Sequence, residues 1–471
     1  MKHPTKALLS ILLALLLCGL TPAFAEEPPA PAGDTAEAAD AIPVIFLSGF
    51  GTQLYLHDGE PGAVPLLALD TKAWLGALAA TTLDALRNPL AVLFSPNHLA
   101  DALAAYAMNL LGRLACDENG DSLHPVANTS RNRDEPHDRQ IGGGQELPMH
   151  EFHFDWRLDP MATARDLDVF VQQVKAKTGS EKVHFYALSF GSVLACAYLA
   201  QYGTKDLESL FLAFSAHGGL QLAKDLIQMK FQISGQGLAA FLAEMVPQNT
   251  WVSRSLAWLI RSLEWLFRLL EWPANLVLQR VRDRLYERCI LPLLGQMPAA
   301  WAFVTDDATY EAAKALLLSG TDRYAGLIAK IDAYHYSAGN RTNEILRQAA
   351  SEIKVGLVCG YDRAPIPLGG TFLYQSDFMI ATTDASGGAI CADYGKTLPV
   401  GYTQARQACG HGHISPDRVI DASTCALPEQ TWFVKGCPHT YVYDGTGMYY
   451  WFLAYEGQPT VWSSEEFPQF R

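Results

Sequence analysis

The stretch Lys182–Val183–His184–Phe185–Tyr186–Ala187–Leu188–Ser189–Phe190–Gly191 constrains the fold of this chain most strongly. It reads as a short apolar strand that runs into Ser189 and then into a helix from Ser192 to Tyr202. A serine at such a junction sits on a tight strand-to-helix turn, where strand, serine and helix crowd together. Only small residues fit two positions before and two after it, and here they are Ala187 and Gly191. The helix N-terminus behind the serine supplies backbone N–H groups suited to a developing oxyanion.

The flanking patterns extend this unit into an α/β architecture. Ile42 to Leu47 is a β-rich apolar run that ends in Ser48–Gly49–Phe50–Gly51. Glu151 to Trp156 is a second strand candidate. Ala164 to Lys177 is an amphipathic helix with Leu167, Phe170, Val171 and Val174 on one face and Gly179 as its cap. Strand, helix, strand, elbow and helix in this order imply a mostly parallel sheet with crossover helices. Further strands are expected at Ile353 to Tyr361 and Thr431 to Lys435, with an amphipathic segment at Met448 to Tyr455. Leu67 to Leu114 has a helical pattern, and Asp117 to Glu146 reads as a long polar loop. Asp117–Glu118–Asn119–Gly120–Asp121 is expected to be a plain turn, since no carboxylate stands at the closing position of a calcium loop.

Ala223 to Leu318 interrupts the alternation with a long helical stretch. Trp251, Trp258, Trp265 and Trp272 crowd one part of it, with Leu256, Leu259, Leu263, Leu266, Leu269 and Leu270 and with Arg254, Arg261, Glu264 and Arg268 between them. Two readings stand side by side: a helical layer packed on the sheet, and a lid that meets lipid or covers an acyl pocket. The resulting organisation is a signal peptide over 1–25, a leader over 26–40, a core over 41–222 with an inserted region at 55–146, a helical cap over 223–345 and the rest of the core over 346–471.

The chain has 471 residues and a net charge of −14, which argues against nucleic acid as a partner and against simple electrostatic docking on anionic lipid. Lys2 and Lys6, the apolar run Ala7 to Leu20 and Ala23–Phe24–Ala25 before Glu26 have the form of a cleaved export signal, implying a secreted or periplasmic protein. Export permits disulfides among the eight cysteines beyond Cys18. Cys391 with Cys409 and Cys425 with Cys437 are the local pairs, while Cys196 and Cys359 suit buried thiols. There is no CxxC and no metal-ligand spacing, so no metal and no cofactor is expected.

A serine of this kind works with an acid and a histidine in the chain order Ser, acid, His. His439 follows the last strand in Gly436–Cys437–Pro438–His439 and is the first choice for the base; His411 and His413, in a Gly-rich loop before that strand, are rivals. Asp417, in Ser415–Pro416–Asp417–Arg418–Val419–Ile420–Asp421, is the first choice for the acid. Asp421, Asp377 and Asp384 are the alternatives.

Three pieces resemble the lecithin:cholesterol acyltransferase family, which includes lysosomal phospholipase A2-like enzymes. They are Pro43 to Leu54, the run Phe154–Asp155–Trp156–Arg157–Leu158–Asp159–Pro160, and the Ser189 elbow. The resemblance implies an α/β-hydrolase fold with a helical cap, a Ser–Asp–His triad, and acyl transfer from a lipid ester to water or an alcohol. By matching position it implies an oxyanion hole formed by the backbone N–H of Phe50 (or Gly51) and that of Phe190. The expected activity is that of a lipase, phospholipase or O-acyltransferase. The alternatives are a non-lipid esterase or peptidase on the same fold, and a non-catalytic lipid-binding protein.

Overall fold

Seven strands pair into the central sheet: β1 (Val44–Leu47), β2 (His137–Gln140), β3 (Glu146–Phe152), β4 (Val183–Leu188), β5 (Leu207–Ala213), β6 (Lys354–Tyr361) and β7 (Thr431–Lys435). Their order is β7-β6-β5-β4-β1-β3-β2, parallel throughout except for the antiparallel edge strand β2. The computed structural model describes residues 42–49, 54–56, 66, 96–128, 137–140, 146–246, 250–319, 322–407, 409–439 and 447–471. The expected signal peptide, the leader, Phe50 with Gly51, and most of the helical pattern from Leu67 to Leu114 lie outside the described residues.

Because β4, β5 and β6 are covered on both faces, they read as nearly continuous apolar runs. Alternate side chains feed two cores. Ile45, Leu47, Phe185, Ala187, Leu210, Leu212, Val355 and Leu357 face a layer that includes helices α2 (Pro160–Thr178) and α3 (Gly191–Tyr202). Phe46, Tyr186, Phe211 and Val358 face the opposite way. Tyr449 and Phe452, from a helix over Met448–Ala454, cover them there. Ring centroids of Tyr186 and Tyr449 lie 4.7 Å apart.

Several boundaries differ from the sequence expectation, each for a local reason. Helix α2 begins at Pro160, earlier than the apolar periodicity indicates, because the Asp159 side chain accepts from the Met161 N–H and Pro160 occupies the first helical position. It stops at Gly179, whose φ of 74° suits the left-handed cap. Strand β3 ends at Phe152, before the expected Trp156. The polar stretch after Asp117 holds two strands, Val126–Asn128 and β2. Asp117 forms the plain turn expected, its carboxylate accepting from the Asn119 and Asp121 N–H groups at 2.8 and 2.9 Å.

Phe154 to Pro160 leaves the sheet to build a polar clamp. Arg157 is fully buried and makes a two-point pair with Asp155 at 2.9 and 2.6 Å. Its remaining donors reach the Leu114 carbonyl at 3.2 Å and the Ser122 hydroxyl at 2.7 Å. A buried guanidinium persists only when its donors are satisfied in this way. The clamp fastens the segment around Leu114 to Ser122 onto the core.

The helical block after β5 includes α4 (Gly235–Met245), α5 (Trp251–Ser262) and α6 (Glu264–Leu285), followed by a π-helical segment over Tyr286–Gly295. At the other end of the chain, the C-terminal tail lies along β7. Phe433 N–H donates to Gln469 O and Lys435 N–H to Arg471 O, both at 2.7 Å, so this sheet edge is covered. Neither the Cys391–Cys409 nor the Cys425–Cys437 disulfide forms. No helix among the described residues is long and apolar enough to cross a membrane.

Candidate active site

Ser189 sits between β4 and α3 with φ at 52°, the left-handed region that a non-glycine residue enters at a cost of roughly 1–3 kcal/mol. The surroundings hold it there. Its N–H donates to Ala213 O at 3.0 Å, and its carbonyl accepts from the Ser192 N–H at 3.1 Å and hydroxyl at 2.5 Å. The crowding expected from sequence is present. A Cβ on Gly191 would stand 2.1 Å from the Leu47 carbonyl oxygen. Ala187 fits because its side chain is wholly inside the core beside Leu47 of β1.

The turn after β1 comes up to the serine from the other side. A Cβ on Gly49 would lie 2.8 Å from Ser189 Cβ and 3.2 Å from its Oγ. Neither Gly49 nor Gly191 leaves room for a side chain: Gly49 lies against the serine and Gly191 against Leu47. Phe190 opens α3, its ring packed against Phe303 at 5.5 Å and Phe154 at 6.2 Å between centroids. Its amide therefore follows Ser189 at the helix N-terminus, where the sequence places one oxyanion donor. The proposed second donor, Phe50, lies outside the described residues.

His439 reaches Ser189 from the loop beyond β7, with Nε2 to Oγ at 2.9 Å. Its Nδ1 meets Asp377 Oδ2 at 2.8 Å, and its backbone N–H donates to the Asp377 carbonyl at 2.7 Å. The other carboxylate oxygen, Oδ1, accepts from the N–H groups of Met379 at 3.0 Å and Ile380 at 2.7 Å. These bonds assign the protonation pattern. A carboxylate can only accept, so Nδ1 carries the proton and Nε2 presents its lone pair to the serine hydroxyl. Asp377 is buried, with 1% of its side chain exposed, while His439 keeps 13%.

The carboxylate on His439 is thus Asp377 and not Asp417, the first choice from sequence. Asp377 enters because Gly360, the penultimate residue of β6, leaves room for it: a Cβ there would stand 2.7 Å from that of Asp377. Asp417 is committed elsewhere: Lys435 Nζ lies at 2.8 Å, the Ser415 hydroxyl at 2.7 Å and the Tyr361 hydroxyl at 3.2 Å. Burial alone would raise its pKa, but these partners together hold it below the usual carboxylate range. Asp421 accepts from the Tyr402 hydroxyl and the Ala405 and Ser423 N–H groups, and Asp384 pairs with Lys224 at 2.9 Å. His411 and His413, the rival bases, lie around Cys409.

A second Ser–His contact, Ser215 with His217 at 2.6 Å, is fully buried, and burial pushes the His217 pKa down to about 4. No substrate can approach it without the core opening. No family model, no curated protein and no solved structure matches this chain.

Proposed function

We propose that this chain is a serine-dependent hydrolase or acyltransferase of the α/β-hydrolase class that takes its acyl group from lipid esters. The observation that carries the reading is the continuous relay from Ser189 through His439 to Asp377, at 2.9 and 2.8 Å, with the serine on a strained strand-to-helix turn. In this reading His439 Nε2 accepts the Ser189 proton as Oγ attacks the ester carbonyl. Asp377 keeps the imidazole in the required tautomer and stabilises its cation. The Phe190 amide receives the oxyanion, and Phe50 is the second donor expected from the family resemblance. His439 then protonates the leaving alcohol. Water or an acceptor alcohol, deprotonated in turn by His439, releases the acyl group and regenerates the serine.

The helical block supports a lipid substrate. Trp251, Trp258, Trp265 and Trp272 recur at seven-residue intervals, and each keeps between 63 and 74% of its surface exposed. Val252, Leu256, Leu259 and Leu269 are exposed on the same two helices. An apolar surface of this extent marks an interaction face. Arg254, Arg261 and Arg268 recur with the same spacing, three residues after a Trp, as in segments that lie at a lipid–water interface. The helices also communicate with the proposed acid. Phe241 of α4 meets Phe378, the residue after Asp377, at 6.0 Å between ring centroids. A side chain on Gly235 would strike the backbone of α6 at Phe267. A lid made of α4 to α6 would therefore rest on the acid turn. The motif resemblance to the lecithin:cholesterol acyltransferase family and the export-like N-terminus agree with a secreted or periplasmic lipid enzyme.

The test is reaction of the mature protein with a fluorophosphonate probe, followed by fatty-acid release from mixed phospholipid vesicles. Labelling that is lost in Ser189→Ala and His439→Ala, with lipid turnover in wild type, is expected. Labelling without lipid turnover would replace the substrate class with soluble esters. A folded wild-type protein that does not label would overturn the proposal.

A further inference from the structure

Away from the triad, the fold gathers a group of soft and borderline ligands that the sequence does not show as adjacent. Cys409, His411 and Glu429 each present a ligand atom within 4.8 Å of the other two. His411 Nδ1 lies 3.5 Å from Cys409 Sγ, and His413 Nε2 approaches the same sulfur at 3.2 Å. We propose that Cys409, His411 and Glu429 form a binding site for a divalent transition metal, zinc by preference, that pins the C-terminal part of the chain together, with His413 beside the sulfur.

The distances are compatible with a metal cradle. A tetrahedral zinc with bonds of about 2.3 Å to sulfur and 2.0–2.1 Å to nitrogen sets these atoms about 3.5 Å apart. The His411 Nδ1···Cys409 Sγ separation is 3.5 Å. The outer shell is also in place. His413 is fully buried, and its Nδ1 meets the Gln469 carbonyl oxygen at 2.8 Å. That bond fixes the proton on Nδ1 and leaves the Nε2 lone pair to accept from the Cys409 thiol, which holds the sulfur in place. Trp462 stacks on His411 with centroids 4.5 Å apart and flanks His413 at 5.5 Å. Among the described residues the Glu429 carboxylate has no hydrogen-bond or ion-pair partner of its own.

A thiolate, an imidazole and a carboxylate suit zinc and disfavour calcium or magnesium, which take oxygen ligands. Binding converts the Cys409 thiol to a thiolate and releases one proton to solvent. Three protein ligands hold the ion with solvent in the fourth position, and its role is structural. Its position agrees. Glu429 stands two residues before β7 and His439 follows that strand, whose five residues separate the two ends by roughly 16 Å. The metal would join the 409–413 loop to the entry of β7, with the tail residues Trp462 and Gln469 packed around it. The spacing test applied to the cysteines overlooked the site because the cysteine and histidines come from one loop and the carboxylate from another.

The experiment uses the mature chain, stripped with a chelator and titrated with Co²⁺ and then Zn²⁺. Equimolar cobalt binding with a thiolate charge-transfer band and tetrahedral d–d absorption is expected, with zinc displacing cobalt. Cys409→Ser should abolish the band. Glu429→Gln and Gln469→Leu should weaken binding roughly 10- to 100-fold. Fluorophosphonate labelling of Ser189 in the same samples reports that the variants are folded. Should the variants fail to fold, alkylation of Cys409 in wild type, read by mass spectrometry, is expected to slow at least tenfold on adding zinc. A folded, labelling-competent wild type with no charge-transfer band, or with Cys409 alkylated equally fast with and without zinc, would overturn the site and leave the triad reading untouched.

Discussion

Replacing Asp377 with asparagine tests the active-site assignment most sharply, because the surrounding hydrogen bonds dictate how the amide must sit. Asp377 Oδ1 accepts from two backbone N–H groups, those of Met379 and Ile380. An asparagine must keep its carbonyl oxygen there, since turning its NH₂ toward two donors would leave three groups without acceptors. Its NH₂ then faces His439 Nδ1, which must accept instead of donate. The imidazole proton moves to Nε2, and the group that should take the Ser189 proton presents an N–H. A base held in the wrong tautomer costs about 10⁴-fold in turnover, equivalent to about 5.5 kcal/mol. The two backbone bonds survive, so folding should change little. The assay is hydrolysis of a soluble chromogenic ester at saturating substrate beside a urea unfolding curve, with Asp417→Asn as the companion. Asp417→Asn should keep turnover within a few-fold of wild type, because Asp417 pairs with Lys435 and not with His439. Asp377→Asn turning over within tenfold of wild type, or Asp417→Asn losing activity while folded, would refute the reasoning.

Three further outcomes are expected. Arg157→Ala removes one half of a buried ion pair and should lower unfolding stability by roughly 3–5 kcal/mol, read from the urea midpoint, with less loss in Arg157→Ala/Asp155→Ala than the two single changes sum to. Trp258→Ser/Trp265→Ser removes two rings that are 70 and 63% exposed; it should reduce partition onto phospholipid vesicles by roughly 100-fold or more, while hydrolysis of a soluble ester stays near wild type. Asp417, whose folded pKa is depressed, contributes stability that is present above its unfolded value near pH 4 and is lost as pH falls through the folded value; wild type should lose urea resistance between about pH 5 and pH 3, and Asp417→Asn should lose less over that window.

The proposed nucleophile and base are legible in the sequence because their constraints are local. A buried strand run that ends in small-x-Ser-x-small needs no distant residue to be recognised, and Gly191 shows why: Leu47 leaves no room for a side chain. His439 was found from its place after the last apolar run. The acid was not legible, since Asp377, Asp384, Asp417 and Asp421 all lie in turns of similar composition. What selects Asp377 is its contact with Gly360 at the end of β6, a pairing across 17 residues that leaves no periodic trace. Arg157 was visible only as part of a motif; its role as a clamp depends on carbonyls 43 residues earlier. The parallel sheet was evident from the order of strands and helices, whereas edge strand β2, polar and antiparallel, resembled loop.

Ser189 and His439 stand 250 residues apart in the chain, and Asp377 lies between them. During synthesis the strand-to-helix turn can form from β1, β4, β5 and α3 long before the loop that carries His439 exists as folded structure. A serine without a base beside it is a poor nucleophile. An enzyme of the proposed kind would stay chemically silent until its last hundred or so residues have emerged and docked. Activity would then begin only as folding finishes.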